Sequence, residues 1–301
     1  MEKIKFLFAA HKTTVFLIVI LGVLGILGWF GYQMFFAKPV GPVEEVDLQF
    51  DAEGPYAILS PRRDGNALVL NLKRTASYDV ITYELSYPAT YGEIAVQGGK
   101  ILEKDKVGDP DPEGVADRGV IGTIDTKEKK GEYEQEIIFG SCSKNVCVYD
   151  KAVENGTLTL HIKKADKAYR MVTQWRLQRP DVALGRLASG DGHLVYKLDS
   201  DRQQLSAIGF SIINDLTGVP KLPGGKAVFG KVYSLNAPIA KSLSDGLVTF
   251  ELAENPPSGA KLARYDESQN KWVEIDAKLE GSKFSGKADS GGIFAVLTSK
   301  P

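Results

Sequence analysis

The chain has 301 residues with 37 basic and 38 acidic side chains, so its length allows about two domains and its net charge of −1 excludes a polybasic nucleic-acid binder. Hydrophobic residues at 43% and charged residues at 25% exclude both a mostly disordered chain and a polytopic membrane protein. Two cysteines and three histidines are a thin catalytic inventory, and 31 glycines with 14 prolines exceed the average usage of about 12% for that pair, which points to a turn-rich, all-β organisation.

The first element is apolar. Residues 15–36 carry no charge, and at about 1.5 Å per residue such a helix spans roughly 33 Å, the thickness of a hydrocarbon core. A cleaved signal peptide has an apolar core of only about 7–15 residues and a small-x-small cut site, which Phe36-Ala37-Lys38-Pro39 does not supply. The expected organisation is a tail at 1–12, a transmembrane signal anchor at 13–37 held by membrane lipid, and a linker at 38–48. Lys3, Lys5 and Lys12 precede the helix, whereas Lys38 is followed by Glu44, Glu45 and Asp47. This asymmetry predicts a single-pass protein of the cell membrane, its amino terminus cytoplasmic and everything after Lys38 extracytoplasmic. Trp29 and Tyr32 near the outer end suit the headgroup level. Gly22, Gly25, Gly28 and Gly31 recur every third residue, while close helix pairing favours small residues four apart, so the glycines read as part of a lipid-facing anchor.

Beyond the linker, strands are predicted by period-two alternation. Ile81, Tyr83, Leu85 and Tyr87 face one way with Thr82, Glu84 and Ser86 opposite. The same pattern recurs in Leu68, Leu70, Leu72, in Leu158, Leu160, Ile162, in Tyr169, Met171, Trp175, Leu177, and in Leu194, Tyr196, Leu198, with a tight turn at Asp64-Gly65 ahead of the first. A second set begins after Asp199-Ser200-Asp201 with Ile208, Phe210 and Ile212, followed by 227–233, 247–252, 261–265, 272–275 and 293–297. The expected fold is therefore all-β, with two tandem β-sandwich domains at 49–200 and 201–301 behind the single helix. One large β domain is the alternative.

Five carboxylates gather in the loop 105–117: Asp105, Asp109, Asp111, Glu113 and Asp117. Hard oxygen ligands of this kind could clip a Ca2+ ion, although Pro110 and Pro112 separate them and the spacing matches no helix-loop-helix calcium loop; a solvated turn is the plainer reading. Gly225-Lys226-Ala227-Val228-Phe229-Gly230-Lys231 copies the spacing of a phosphate-binding loop, but Val232 replaces the hydroxyl residue and β-favouring residues follow, so no nucleotide is expected. His161 alternates with Leu160 and Ile162 and is expected off the core face; with His193 it is the only imidazole beyond the tail. No Gly-x-Ser-x-Gly or His-Glu-x-x-His motif occurs, and no catalytic residue is assigned. Trp175 and Trp272 could stack on sugars if exposed, yet both lie in strand-like sequence where core burial is the commoner outcome.

Two short stretches carry a resemblance. Residues 262–297, with Tyr265, Asp266, Trp272 and Phe294-Ala295-Val296, resemble the closing module of many bacterial cell-surface β-sandwich proteins. Phe139-Gly140-Ser141-Cys142 with Cys147 and Gly156-Thr157-Leu158-Thr159-Leu160 is similar to cohesin-like surface modules in membrane-anchored proteins of small-genome, uncultivated bacteria. The resemblance implies an extracytoplasmic module; the calcium-dependent dockerin binding of true cohesins is not carried over, because no residue here matches a supporting motif.

Location then bears on the cysteines. In an oxidising compartment Cys142 and Cys147 are expected to pair, the rivals being free thiols or a zinc site recruiting His161 and His193. The function expected from all this is non-catalytic: a structural, adhesion or protein-interaction role at the cell envelope, presented by the loops Lys104 to Arg118 and Lys221 to Lys226. The alternative is a carbohydrate-binding or accessory module of an envelope enzyme, so the expected partner is an envelope protein or glycan and not nucleic acid.

Overall fold

The structure is a computed structural model, and it describes residues 12–35, 44–75, 78–90, 95–97, 100–101, 116–124, 126, 131–144, 146–239 and 241–300. They fall in two compact units, Met1–Glu44 and Glu45–Pro301. The first unit holds helix α1 (Lys12–Phe35), 24 residues without a charge after Lys12. Its described side chains are Phe16 and those of residues 20–32, and the large apolar ones among them are exposed. Among the described residues no helix is long and apolar enough to cross a membrane.

The second unit is built from strands. In chain order they are β1 (Glu45–Asp47), β2 (Tyr56–Pro61), β3 (Ala67–Lys73), β4 (Val80–Ala89), β5 (Ala95–Gln97), β6 (Lys100–Ile101), β7 (Ala116–Ile124), β8 (Glu132–Ile138), β9 (Gly140–Ser143), β10 (Val146–Tyr149), β11 (Asn155–Lys164) and β12 (Lys167–Gln178). After these come β13 (Arg186–Ala188), β14 (Leu194–Leu198), helix α2 (Arg202–Ile208), β15 (Ser211–Asp215), β16 (Lys226–Asn236), β17 (Gly246–Glu251), β18 (Lys261–Asp266), β19 (Lys271–Glu274), β20 (Ala277–Glu280), β21 (Lys283–Ala288) and β22 (Gly292–Ser299). The all-β expectation holds.

Ten strands make one long sheet in the order β19-β18-β22-β16-β15-β12-β11-β4-β7, with β1 joining β12 in parallel. Three smaller sheets accompany it: β2-β3-β8, β13-β14-β17-β21-β20 and β6-β5-β10-β9. The expected alternation is present where one face is buried. On β4, Ile81, Tyr83, Leu85 and Tyr87 point inward between more exposed neighbours, and Leu158, Leu160 and Ile162 do the same on β11.

Those residues meet Ala57, Leu59, Leu68, Leu70 and Leu72 of the three-stranded sheet in a first core. A second core joins Leu194, Tyr196, Val248, Phe250 and Phe284 of the five-stranded sheet to Ile213, Leu235, Leu262, Phe294 and Val296. Neighbouring residues on a strand point to opposite faces. Ile212 enters the first core and Ile213 the second, so the two smaller sheets cover opposite faces of the long one. A third cluster packs Tyr56 and Ile58 against Val232, Ala263, Ile293, Ala295 and Leu297. β2 and β22 are thus buried on both faces, which is why YAIL and IFAVL read as unbroken apolar runs.

Residue 200 lies between β14 and α2. Strands from both sides of it enter the long sheet, and Leu187, Leu194, Tyr196 and Leu198, which precede it, belong to the second core.

The expectation of a strand beginning at Ile208 is corrected, because that residue ends α2. The Asp201 carboxylate accepts from the Gln204 N–H at 2.8 Å and caps the helix, Leu205 and Ile208 bury its inner side, and Gly209 ends it at φ 84°. Phe210 then packs over the Asp64-Gly65 turn, where a Cβ on Gly65 would lie 2.3 Å from its ring.

Side chains from the second half also complete the backbone of β2. The Leu59 N–H donates to Asn214 Oδ1 at 3.2 Å, Asn214 Nδ2 donates to the Ala57 carbonyl at 2.8 Å, and Asn236 Nδ2 donates to the Leu59 carbonyl at 2.9 Å. An asparagine amide carries one donor and one acceptor side by side, as a peptide group does, so it stands in for a missing neighbour strand.

Candidate functional site

The cysteines come together first. Cys142 on β9 lies directly opposite Cys147 on β10, and the two are joined as a disulfide. Among the described residues there is no free cysteine, so the thiolates a zinc site needs are taken. Both histidines are engaged elsewhere: His161 Nδ1 lies 2.7 Å from Glu45 Oε1, and His193 Nδ1 lies 2.8 Å from the Glu251 carbonyl. His161 points off the core face as expected, between buried Leu160 and Ile162.

Of the calcium candidates, Asp105, Asp109, Asp111 and Glu113 lie outside the described residues, as does most of the loop Lys104 to Arg118. Asp117 is exposed on β7. Among the described residues no group of three or more His, Cys, Asp or Glu side chains is placed to hold a metal ion. Gly225 to Lys231 leads into strand β16, with no helix terminus to meet a phosphate. Trp175 is core, 2% exposed and stacked on Phe139, while Trp272 is half-buried against Tyr265, their ring centroids 5.4 Å apart.

Two polar constellations went unread in the sequence. The first surrounds Asp191, in the turn between β13 and β14. Its carboxylate accepts from Ser189 Oγ at 2.6 Å, Tyr233 Oη at 2.6 Å, Lys231 Nζ at 3.0 Å and the His193 N–H at 3.2 Å. A β-bulge between Phe229 and Tyr233, with Gly230 at φ 77°, aims Lys231 and Tyr233 at it. Burial alone would raise the Asp191 carboxyl, but the hydrogen bonds from Ser189, Tyr233, Lys231 and His193 outweigh it and hold the group well below the ordinary carboxylate range. Nearby Asp215 moves the other way: burial raises it, even though the Gln174 N–H and the Thr173 hydroxyl donate to it. These groups line a cavity of only about 10 Å³, the lower limit for a single water. Asp191 is saturated by its own neighbours and acts as a pin between the turn and β16.

The second constellation is a cleft of about 650 Å³, within the range of small-molecule sites. One wall comes from the three-stranded sheet, through Ser60, Asn71 and Glu134. The other comes from Leu235 to Ile239 and Lys241 to Leu243 at and beyond the end of β16, Arg264 to Ser268 at the end of β18, and Ser290 to Gly292 at the start of β22. Register brings Asn71 opposite Glu134 on adjacent strands. Their neighbours on the same face are spent on ion pairs, Glu132 with Lys73 and Glu136 with Arg62, each at 2.7 Å. Among the described residues the Asn71 amide and the Glu134 carboxylate have no such partner.

The far wall is rigid. Arg264, 4% exposed, donates to Asp289 at 2.8 Å and reaches Asp266 and the Gly291 carbonyl at 3.4 Å. Asp266 is lowered by the Ser268 hydroxyl first, then by the Gln269 N–H and Arg264. Tyr265 is braced on two sides, by the Trp272 ring and by a hydrogen bond from its hydroxyl to Asn270 Oδ1. Only the oddity of an asparagine inside the apolar strand ALVLNLK could have signalled this cleft from sequence.

No protein-family model and no curated protein matches the chain. Among solved structures, dimeric latent PorU from Porphyromonas gingivalis is similar at 12% identity over 83% of this chain, with a TM-score of 0.20. The chain spans 30% of the length of that one, and at this score the likeness carries no argument about fold or activity.

Proposed function

We propose that the chain is a non-catalytic, single-pass protein of the cell envelope, anchored through its charge-free sequence run 15–36 with its amino terminus in the cytoplasm, whose β body recognises an envelope component outside. The observation that carries the reading is the closed Cys142–Cys147 bridge, since such bonds persist in oxidising compartments. The charge-free sequence run 15–36 and the lysine asymmetry around it support the anchor and its direction. A β scaffold with a polar cleft supports recognition, and the resemblance of residues 262–297 to bacterial cell-surface modules agrees with it.

The test is topological. Full-length protein in intact cells, with any outer barrier opened, should lose its β body to added protease and leave a fragment of a few kilodaltons, and alkylation without reductant should find no thiol. Protection of the β body until the membrane itself is permeabilised overturns the orientation.

A further inference from the structure

The cleft between Asn71 and Tyr265 has free groups that indicate which occupant it suits. Of its charged lining residues, Arg264 is already committed to Asp266 and Asp289. Glu134, Glu267 and Lys241 remain, two acids around one base, a mixed field that suits no anionic polymer and favours a cationic one only weakly. An extended peptide would need a free strand edge to add to. On the Ser60 side of the cleft that edge, β2, is capped by Asn214 and Asn236, which occupy the Leu59 N–H and the Ala57 and Leu59 carbonyls.

What the cleft does present is a set of planar, unpaired hydrogen-bonding groups beside an immobilised ring. The Asn71 amide offers donors and an acceptor, Glu134 and Glu267 offer paired acceptors, and Ser60 and Ser242 add hydroxyls. A sugar hydroxyl donates and accepts at once, so adjacent hydroxyls of one ring pair with an amide and a carboxylate held side by side. The apolar faces of such a ring have Tyr265, Pro238 and Ile239 to pack on. We propose that this cleft binds a neutral saccharide of the envelope, with Asn71 and Glu134 as the hydroxyl-reading pair and Tyr265 as the wall against which the ring rests. The proposal rests on the recognition reading above and names its ligand class.

Full-length protein in detergent micelles, applied to an array of neutral and acidic oligosaccharides, tests it. Saturable binding to at least one neutral glycan is expected, weakened tenfold or more by Asn71→Ala and by Glu134→Ala, and unchanged by Asp199→Asn, which lies outside the cleft; thermal melts of all three variants verify folding. Binding to no neutral glycan, or binding that both cleft variants leave intact, overturns the proposal. So does binding confined to acidic glycans and abolished by salt. A parallel sedimentation assay with isolated envelopes separates the two readings. Capture that survives periodate oxidation of vicinal diols but not protease treatment overturns the saccharide assignment and keeps the recognition role. Capture by neither untreated nor treated envelopes overturns recognition itself.

Discussion

At β4, β7 and β11 the long sheet buries one face and turns Thr82, Glu84, Thr123 and Thr159 outward, whereas at β22 it buries both, from Ile293 to Thr298 without a break. The strands are alike in length, 8 to 10 residues, and what sets them apart is the number of layers laid over them. A one-faced strand keeps alternate positions free to vary, and a two-faced strand frees none. The cleft sits where the two regimes meet, between the three-stranded sheet and the turns that flank β18 and β22. There the backbone is held from both sides while polar side chains still reach solvent.

The sharpest way to break this comparison is to truncate the two-faced strand. Phe294→Ala, at a position with 0% exposure, is expected to cost about 3–5 kcal/mol in denaturant unfolding of the full chain. A loss under 1 kcal/mol would mean that β22 is not the keystone described. Next, Asn214→Ala removes the amide that completes β2 and leaves a buried N–H and carbonyl unpaired, expected to cost about 3 kcal/mol. Raised hydrogen exchange confined to β2 would sharpen the account, and exchange unchanged there would refute it. Replacing Cys142 and Cys147 by serine opens a short loop and should cost about 2 kcal/mol, read by the melting temperature with and without reductant.

Smaller effects are expected at the two carboxylates near the bulge, and with opposite signs. Asp191 is held low, so it contributes stability at neutral pH that is lost as pH falls below about 3.8 toward its depressed folded value. Asp191→Asn should lower the melting temperature at pH 7 and flatten that acid limb. Asp215 is raised, so the folded state prefers its proton and loses stability as pH climbs from 3.8 through the raised value. Asp215→Asn should remove that decline, and a steeper decline in the variant would contradict the assignment. The smallest effect belongs to the open face: Thr159→Ala should shift stability by no more than about 0.5 kcal/mol, and a larger loss would show that something covers it.

The same contrast decides what could be read beforehand. Ile81, Tyr83, Leu85 and Tyr87 announced their strand because one layer imposes a period of two. β2 escaped prediction, and β15 was placed too early, from Ile208, since YAILSP and SIIND answer to two layers and show no period. α2 escaped because seven residues leave too short a stripe, although Asp201 and Gln204 stood at capping distance in the sequence. The disulfide was legible from compartment and parity. The cleft was not, because Asn71 and Glu134 become neighbours only through strand register, and Tyr265 joins them from 194 residues beyond Asn71 and 131 beyond Glu134.

The capping of β2 by Asn214 and Asn236 also sets a clock. Asn214 follows Leu59 by 155 residues and Asn236 by 177, so at a synthesis rate of about 5–20 residues per second the edge of β2 waits roughly 10–30 s for its partners. During that interval the nascent first sheet carries an open strand edge, the surface on which chains associate wrongly. A helper that shields emerging chains would therefore find its moment of greatest demand before residue 236 appears, and slowing translation upstream of that point should lower the yield of correctly folded protein more than slowing it afterwards.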